Sequence, residues 1–351
     1  MRNQLSLDNS WVTLRQDNEM AVSAQKSKLL QIQELSMTYF PATGNPVHAL
    51  DDVSLEVRAK EVLGILGESG CGKSTLATAV LRLLPANCKH QHGQILFRDH
   101  DLLTLSESEI NRIRGREIAL VAQDPALSLN PVMTVGNQIA EVLRPHIPLQ
   151  SKQRQERVRA LLGEMGFDQP SEIYVAYPHQ LSGGQCQRVV IAQAVACQPS
   201  LIIADEPTSK LDPPLRADVI ALLSRIHKQF GMAILLISHD PTLFIGFADR
   251  VATMYAGRIV ETGNCKEIFA RPLHPYTQAL VRIAKSAATD SIKAKSHFPF
   301  IEGDAADLTV KGPGCRFEPR CAERMEICTC NVPPDFSPEI ERSVSCFKYA
   351  E

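Results

Sequence analysis

The chain has 351 residues, 44% hydrophobic and 22% charged, with a formal net charge of −2, which describes an ordinary globular protein with room for one core-bearing domain and an appendage. So even a balance excludes general attraction to nucleic acid or anionic lipid, and any polyanion has to be met at a local site. No apolar run approaches the ~20 residues that a membrane helix needs.

Residues 1–27 carry charges throughout and lack the apolar centre of a secretory signal. They are expected to be a disordered extension on a cytosolic chain, with Met20 as an alternative start and with the only tryptophan, Trp11. From Leu29 the pattern predicts short strands in hairpins, Leu29–Leu35, Val53–Val57 and Glu61–Leu66. Directly after the third stands GESGCGKST, Gly67 to Thr75, and a helix is predicted from Lys73 to Leu84, where Pro85 stops it.

Strand, glycine loop and helix form the setting of a phosphate loop, and Gly67-x-x-x-x-Gly72-Lys73-Ser74 has its spacing. The glycines let successive backbone N–H groups converge on the phosphates of a nucleotide, with Glu68, Ser69, Gly70 and Cys71 between them. The helix start presents its dipole to the same charge. Lys73 supplies a cation to the β/γ oxygens, and Ser74, followed by Thr75, offers a hydroxyl to Mg²⁺.

Between Asp124 and Pro199 the texture is helical: Val135–Leu143, the basic amphipathic Lys152–Met165, and Gly183–Cys197. Within it, LSGGQCQR places Ser182, Gly183, Gly184 and Gln185 at a second bare helix start with outward-facing donors. One triphosphate needs one cradle, so the second suits a nucleotide held by another subunit. Buried-type strands return at Leu201–Ala204 and Met232–Ile237, separated by a helix over Leu215–Lys228, which argues a parallel α/β core. The first of them ends in Asp205 and Glu206, at the sheet edge where α/β folds meet ligands. Asp205 suits hydrated Mg²⁺, and Glu206 suits a general base for an attacking water. Strands at Arg250–Met254 and Arg258–Glu261 close the core.

In this combination the chain resembles an ATP-binding-cassette subunit over about Leu29 to Ala284. The resemblance implies an ATPase whose signature motif, Leu181–Gln185, closes on ATP bound by a second cassette. Gln123 resembles the glutamine that links Mg²⁺ to the helical insert, Ser209-Lys210-Leu211-Asp212 the dimer-contacting loop, and His239 in SHD the switch histidine. Tyr39 in LSMTY is placed like the aromatic that stacks on adenine, with Phe40 as a rival. Lys210 departs from the small residue usual in that loop, and Cys186 from the basic or apolar residue usual after the signature. The implied fold is α/β: a RecA-like core with an antiparallel β subdomain and a helical subdomain over residues 28–272, with the helical insert at about 124–199.

After Pro272 the chain turns rich in proline, cysteine and charge, and a second, smaller unit is expected over residues 273–351. RPLHPYTQAL (Arg271–Leu280) reads by itself only as a proline-bounded helix start. Together with QDPALSLNP (Gln123–Pro131) it resembles the ATPase subunits of dipeptide and oligopeptide importers. That resemblance implies an identical or homologous partner cassette, two transmembrane permeases, an extracytoplasmic substrate-binding protein and a place on the cytoplasmic face of the plasma membrane. Nickel chelates or glycopeptides remain alternative cargoes. A soluble cassette acting on ribosomes or DNA is the rival, against which stand the single cassette and the lack of a heptad run.

Five of the ten cysteines fall in the last 37 residues. Cys315, Cys321, Cys328 and Cys346 lack the paired CxxC spacing of structural zinc. Thiolates gathered by loops could hold a four-iron four-sulfur cluster, as described in some peptide-importer ATPases, or zinc, or stay free, with Cys330 to spare. Cys71, Cys88, Cys197 and Cys265 read as ordinary residues, Cys71 being open to alkylation by its place in the loop.

Overall fold

The computed structural model describes residues 27–288 and 301–350; Trp11 and Met20 lie outside them. Strands β1 (Lys28–Tyr39) and β2 (Val47–Arg58) pair antiparallel and run well past their predicted ends. The reason is local: Glu34 and Asp52 take left-handed backbone angles, φ 49° and 58°, and the register shifts beside them. Bulges of this kind break the apolar alternation without ending the strand.

β3 (Val62–Leu66) opens the second sheet. The chain then returns to the first through β4 (Cys88–Phe97) and β5 (His100–Asp101), which were not legible in the sequence. In CKHQHGQILF only Ile95 and Phe97 are buried, so the strand shows no clear period. The first sheet has the order β2-β1-β4-β5.

β6 (Ile118–Val121), β7 (Leu201–Asp205), β8 (Ala233–Ser238), β9 (Arg250–Tyr255) and β10 (Arg258–Asn264) build the second sheet around β3. Its order is β11-β12-β10-β9-β3-β8-β7-β6, with β11 (Phe336–Glu339) and β12 (Arg342–Val344) contributed by the last part of the chain. The pairs β9–β3, β3–β8, β8–β7 and β7–β6 are parallel. These strands are buried on both faces: Ile202 and Ala204 enter one core, Leu201 and Ile203 the other. That explains their unbroken apolar runs.

The helical insert contains Val135–Leu143, Ser151–Glu164 and Gly183–Val195, close to their predicted bounds, with short helices at Pro125–Ser128 and Pro170–Val175 in addition. The helix after the glycine loop is shorter than predicted, Lys73–Val80. It ends before Pro85 because Arg82 turns left-handed at φ 51°, while its N–H donates to Ala79 O and that of Leu83 to Thr78 O. Two such reversed bonds are a Schellman closure.

Residues after 272 share the cassette's sheet and core. β12 pairs with β10, Glu261 opposite Val344, and the fully buried Arg342 guanidinium meets the fully buried Glu261 carboxylate at 3.0 Å. The helix Pro275–Ala288 places Tyr276, wholly buried, in the same apolar core as Phe317 and the insert.

Candidate nucleotide site

Parallel pairing brings the candidate site residues to one end of the sheet. Leu66 pairs with Ser238, Asp205 with Ile237, and Val121 with Ala204. Consequently Gly67, His239, Glu206 and, two residues past β6, the exposed Gln123 all leave the sheet at its carboxyl end.

The glycine loop is shaped as the motif requires. Gly70 and Gly72 take φ 82° and 109°, which only glycine adopts without strain, and a Cβ on Gly72 would stand 2.3 Å from Ala49 O. Lys73 is buried, and its ammonium donates to the carbonyls of Gly67 and Glu68, each at 2.8 Å. The Cys71 thiol lies inside the loop, 6% exposed, and burial pushes its pKa up. The expectation that it is open to alkylation is therefore corrected, because a buried thiol with little thiolate is unreactive. The Tyr39 hydroxyl lies 3.2 Å from Thr75 Oγ1, beside the loop, whereas Phe40 is exposed.

Asp205 and Glu206 are both buried. Burial pushes the Asp205 carboxyl up, the Ser74 hydroxyl and Lys73 oppose this, and Glu206 adds to it. Asp205 Oδ1 has no hydrogen-bond partner, a buried acceptor of the kind that a cation or its water satisfies. Glu206 has φ 48°, held by its N–H on Ile237 O at 2.9 Å, and its two carboxylate oxygens lie 2.8 and 2.7 Å from His239 Nδ1. Left-handed backbone on a non-glycine residue costs roughly 1–2 kcal/mol and clusters at functional sites.

Ser182 caps the helix Gly183–Val195: its Oγ accepts from Gln185 N–H, and its own N–H donates to Gln185 Oε1 at 2.9 Å. Ser182 and Gly183 are exposed, while a Cβ on Gly184 would stand 3.4 Å from Leu215. Ser209, in the segment Ser209–Asp212, donates from both N–H and Oγ to Glu206 O, and Leu211 of the same segment would lie 3.9 Å from a Cβ on Gly183. Lys210 is exposed.

Sequence reasoning missed two residues that touch the loop from the C-terminal side. Tyr276 Oη accepts from Glu68 N–H at 2.8 Å, and Arg320 pairs with the Glu68 carboxylate. Only the His-Pro-Tyr segment hinted at one of them.

Cys315, Cys321, Cys328 and Cys346 line one small cavity with His274, Phe317 and Met325. Cys330 is exposed and bonds to Thr329. Burial, reinforced by the neighbouring thiols, pushes Cys315 up to about 11 although Phe317 N–H opposes it. Among the described residues no group of three or more His, Cys, Asp or Glu is placed to hold a metal ion.

The family profile described as ABC transporter matches residues 50–209, and that described as oligopeptide/dipeptide transporter, C-terminal region, matches residues 260–328. The oligopeptide transport ATP-binding protein AppD of Bacillus subtilis (strain 168) is 38% identical over 93% of this chain and 98% of its own length. The dipeptide transport ATP-binding protein DppD of Haemophilus influenzae is 41% identical over 91% and 94%. The solved dimeric cassette MJ0796, bound to ADP and Pi after hydrolysis, superposes with a TM-score of 0.61 at 26% identity, covering 68% of this chain and 99% of that one. Likeness of this extent along nearly the whole length settles the family: the chain belongs to the ATP-binding proteins of ABC transporters, in the branch that carries the oligopeptide/dipeptide transporter C-terminal region.

Proposed function

We propose that ATP hydrolysed at this site drives import of dipeptides or oligopeptides through a membrane transporter. The observation that carries this reading is the convergence of the phosphate loop, Asp205, Glu206 and His239 at one end of the sheet, on a chain whose relatives are named as peptide transport ATP-binding proteins.

The roles we propose for the residues accord with this geometry. Gly67 to Thr75 cradle the β- and γ-phosphates, Lys73 exchanging a carbonyl for a phosphate oxygen, and Tyr39 faces the adenine. Ser74, Asp205 and Gln123 would hold Mg²⁺, which supplies charge neutralisation on the transferring phosphoryl group. Glu206 accepts the proton of the attacking water, and His239, bonded to it, orients the carboxylate and senses the γ-phosphate. At the capped start Ser182–Gln185, the Gly183 and Gly184 N–H groups, which the capping box does not use, would meet ATP on a partner cassette. Binding then favours a closed pair, and hydrolysis releases it.

The cassette would span residues 28–272, its insert at 124–199 passing the motion to two permeases, and residues 273–351 form the extension. No helix among the described residues is long and apolar enough to cross a membrane; attachment at the cytoplasmic face would be by protein contact, with cargo delivered by an extracytoplasmic receptor.

A four-iron four-sulfur cluster is proposed on the chemistry of the donor set alone, four thiols lining one cavity; since no three of them are placed to hold a metal ion as they stand, such a cluster would have to draw them together. What the residues do on their own is gather by burial around Phe317 and tie Cys315 N–H to Cys328 O at 2.8 Å.

The test is co-purification from membranes and reconstitution with the attached permeases and receptor. ATPase activity that rises with peptides, and with neither nickel chelates nor glycopeptides, is expected; absence of permeases from the purified assembly would refute the transport reading.

A further inference from the structure

The first variable residue of the phosphate loop, Glu68, is gripped by the C-terminal extension at two points. Arg320 Nη1 and Nη2 lie 2.7 and 3.0 Å from its two carboxylate oxygens, a bidentate fork on a guanidinium whose side chain is only 6% exposed. Tyr276 Oη, from a wholly buried side chain, accepts the Glu68 N–H at 2.8 Å. With Lys73 on the Glu68 carbonyl, the N–H, the carbonyl and the side chain of this one residue are all bonded.

Both gripping groups are themselves fixed. Arg320 also donates to the carbonyls of Ile301 and Glu302 and lies over the Tyr255 ring, 5.8 Å from its centroid. Tyr255, Tyr276 and Phe317 form one aromatic cluster with centroids 4.7 to 5.4 Å apart. Phe317 and Arg320 belong to the loop between Cys315 and Cys321, so the wall of the thiol cavity and the clamp on the phosphate loop are one stretch of chain.

We propose that Arg320 and Tyr276 are positioning residues of the nucleotide site: through Glu68 they preset the phosphate loop in its ATP-receiving shape, so that the extension sets nucleotide affinity. A loop already in its bound shape loses less conformational freedom when it closes on phosphate. Neither residue reaches the reacting atoms, so the effect belongs to binding and not to the chemical step. The inference rests on the ATP-site reading, for which MgATP binding by the wild-type chain is the reference.

The test uses the full chain with Arg320→Ala, Tyr276→Phe, which removes only the hydroxyl, and Arg324→Ala, an exposed control in the same loop region. MgATP dissociation constants are measured by calorimetry, and turnover at saturating ATP on the same samples. Arg320→Ala should weaken MgATP about tenfold and Tyr276→Phe about threefold, as couplings within one bonded network do, with saturated turnover within about twofold of wild type and Arg324→Ala unchanged. A merely structural role would lower thermal stability and the folded fraction without moving the affinity of the folded protein. Wild-type affinity in folded Tyr276→Phe and Arg320→Ala, or lost turnover at unchanged affinity, would overturn the proposal. Iron measured in the same samples separates it from the cluster reading: iron-free wild type with the affinity loss intact refutes the cluster alone.

Discussion

One residue beyond the ends of two neighbouring parallel strands, His239 Nδ1 lies within 2.8 Å of both carboxylate oxygens of Glu206. Backbone bonding sets this meeting, since Glu206 N–H is fixed on Ile237 O and the residue is forced left-handed.

Glu206→Gln should bind MgATP within a few-fold of wild type while turnover falls by about 10²–10⁴, the usual loss of a general base. Phosphate release at saturating ATP, with binding followed separately, measures this. Near-normal turnover would remove Glu206 from the chemistry.

Lys73→Ala should weaken MgATP by roughly 10–100-fold, because a charge-assisted bond to phosphate is lost and the Gly67 carbonyl loses its donor, while Glu68 O keeps the Cys71 N–H. Calorimetry with MgATP reads it directly; full retained affinity would count against the phosphate-loop assignment.

Pairing of cassettes is tested at Ser182, whose side chain caps its own helix while the exposed start faces outward. Ser182→Arg in a Glu206→Gln background should bind ATP yet fail to form the MgATP-dependent dimer seen by light scattering. An ATP-dependent dimer of unchanged stability would show that this helix start is not at the interface.

Anaerobically purified protein should be brown with about four irons per chain. Cys328→Ser, which alters a buried thiol of the cavity, should lose the colour, while Cys330→Ser should keep it. A colourless wild type with its extension folded would defeat the cluster.

Burial, with the Lys348 charge adding to it, pushes His274 down to about 3 in the folded state, so this histidine is neutral there and accepts from Tyr276 N–H at 3.1 Å. Its folded pKa lies below the unfolded value of about 6.5, so its stabilising share is complete above that pH. It declines as pH falls from about 6.5 toward 3, by up to about 1.4 kcal/mol per pH unit. Melting curves should show that slope, and His274→Gln should flatten it between pH 6.5 and 4. At Asp51, burial is outweighed by Lys311, Arg258 and Arg316, and the carboxyl is held down at about 2. It therefore adds acid sensitivity only below about pH 4.

The amino-acid sequence alone determined what depends on neighbours along the chain: the glycine spacing before Lys73, the cap at Ser182, the doubly buried strands, and the insert helices Val135–Leu143 and Ser151–Glu164. Bulged or polar strands escaped it, because at Glu34 and across His90 and His92 the alternation that signals a strand is broken by backbone angles or by exposure. Only the tertiary structure decided which distant groups meet. The grip of Arg320 on Glu68 spans 252 positions, and the hairpin β11–β12 joins the cassette's own sheet through β10. Such contacts arise from long-range strand pairing and shared core burial, which leave no periodic mark in the segments they join.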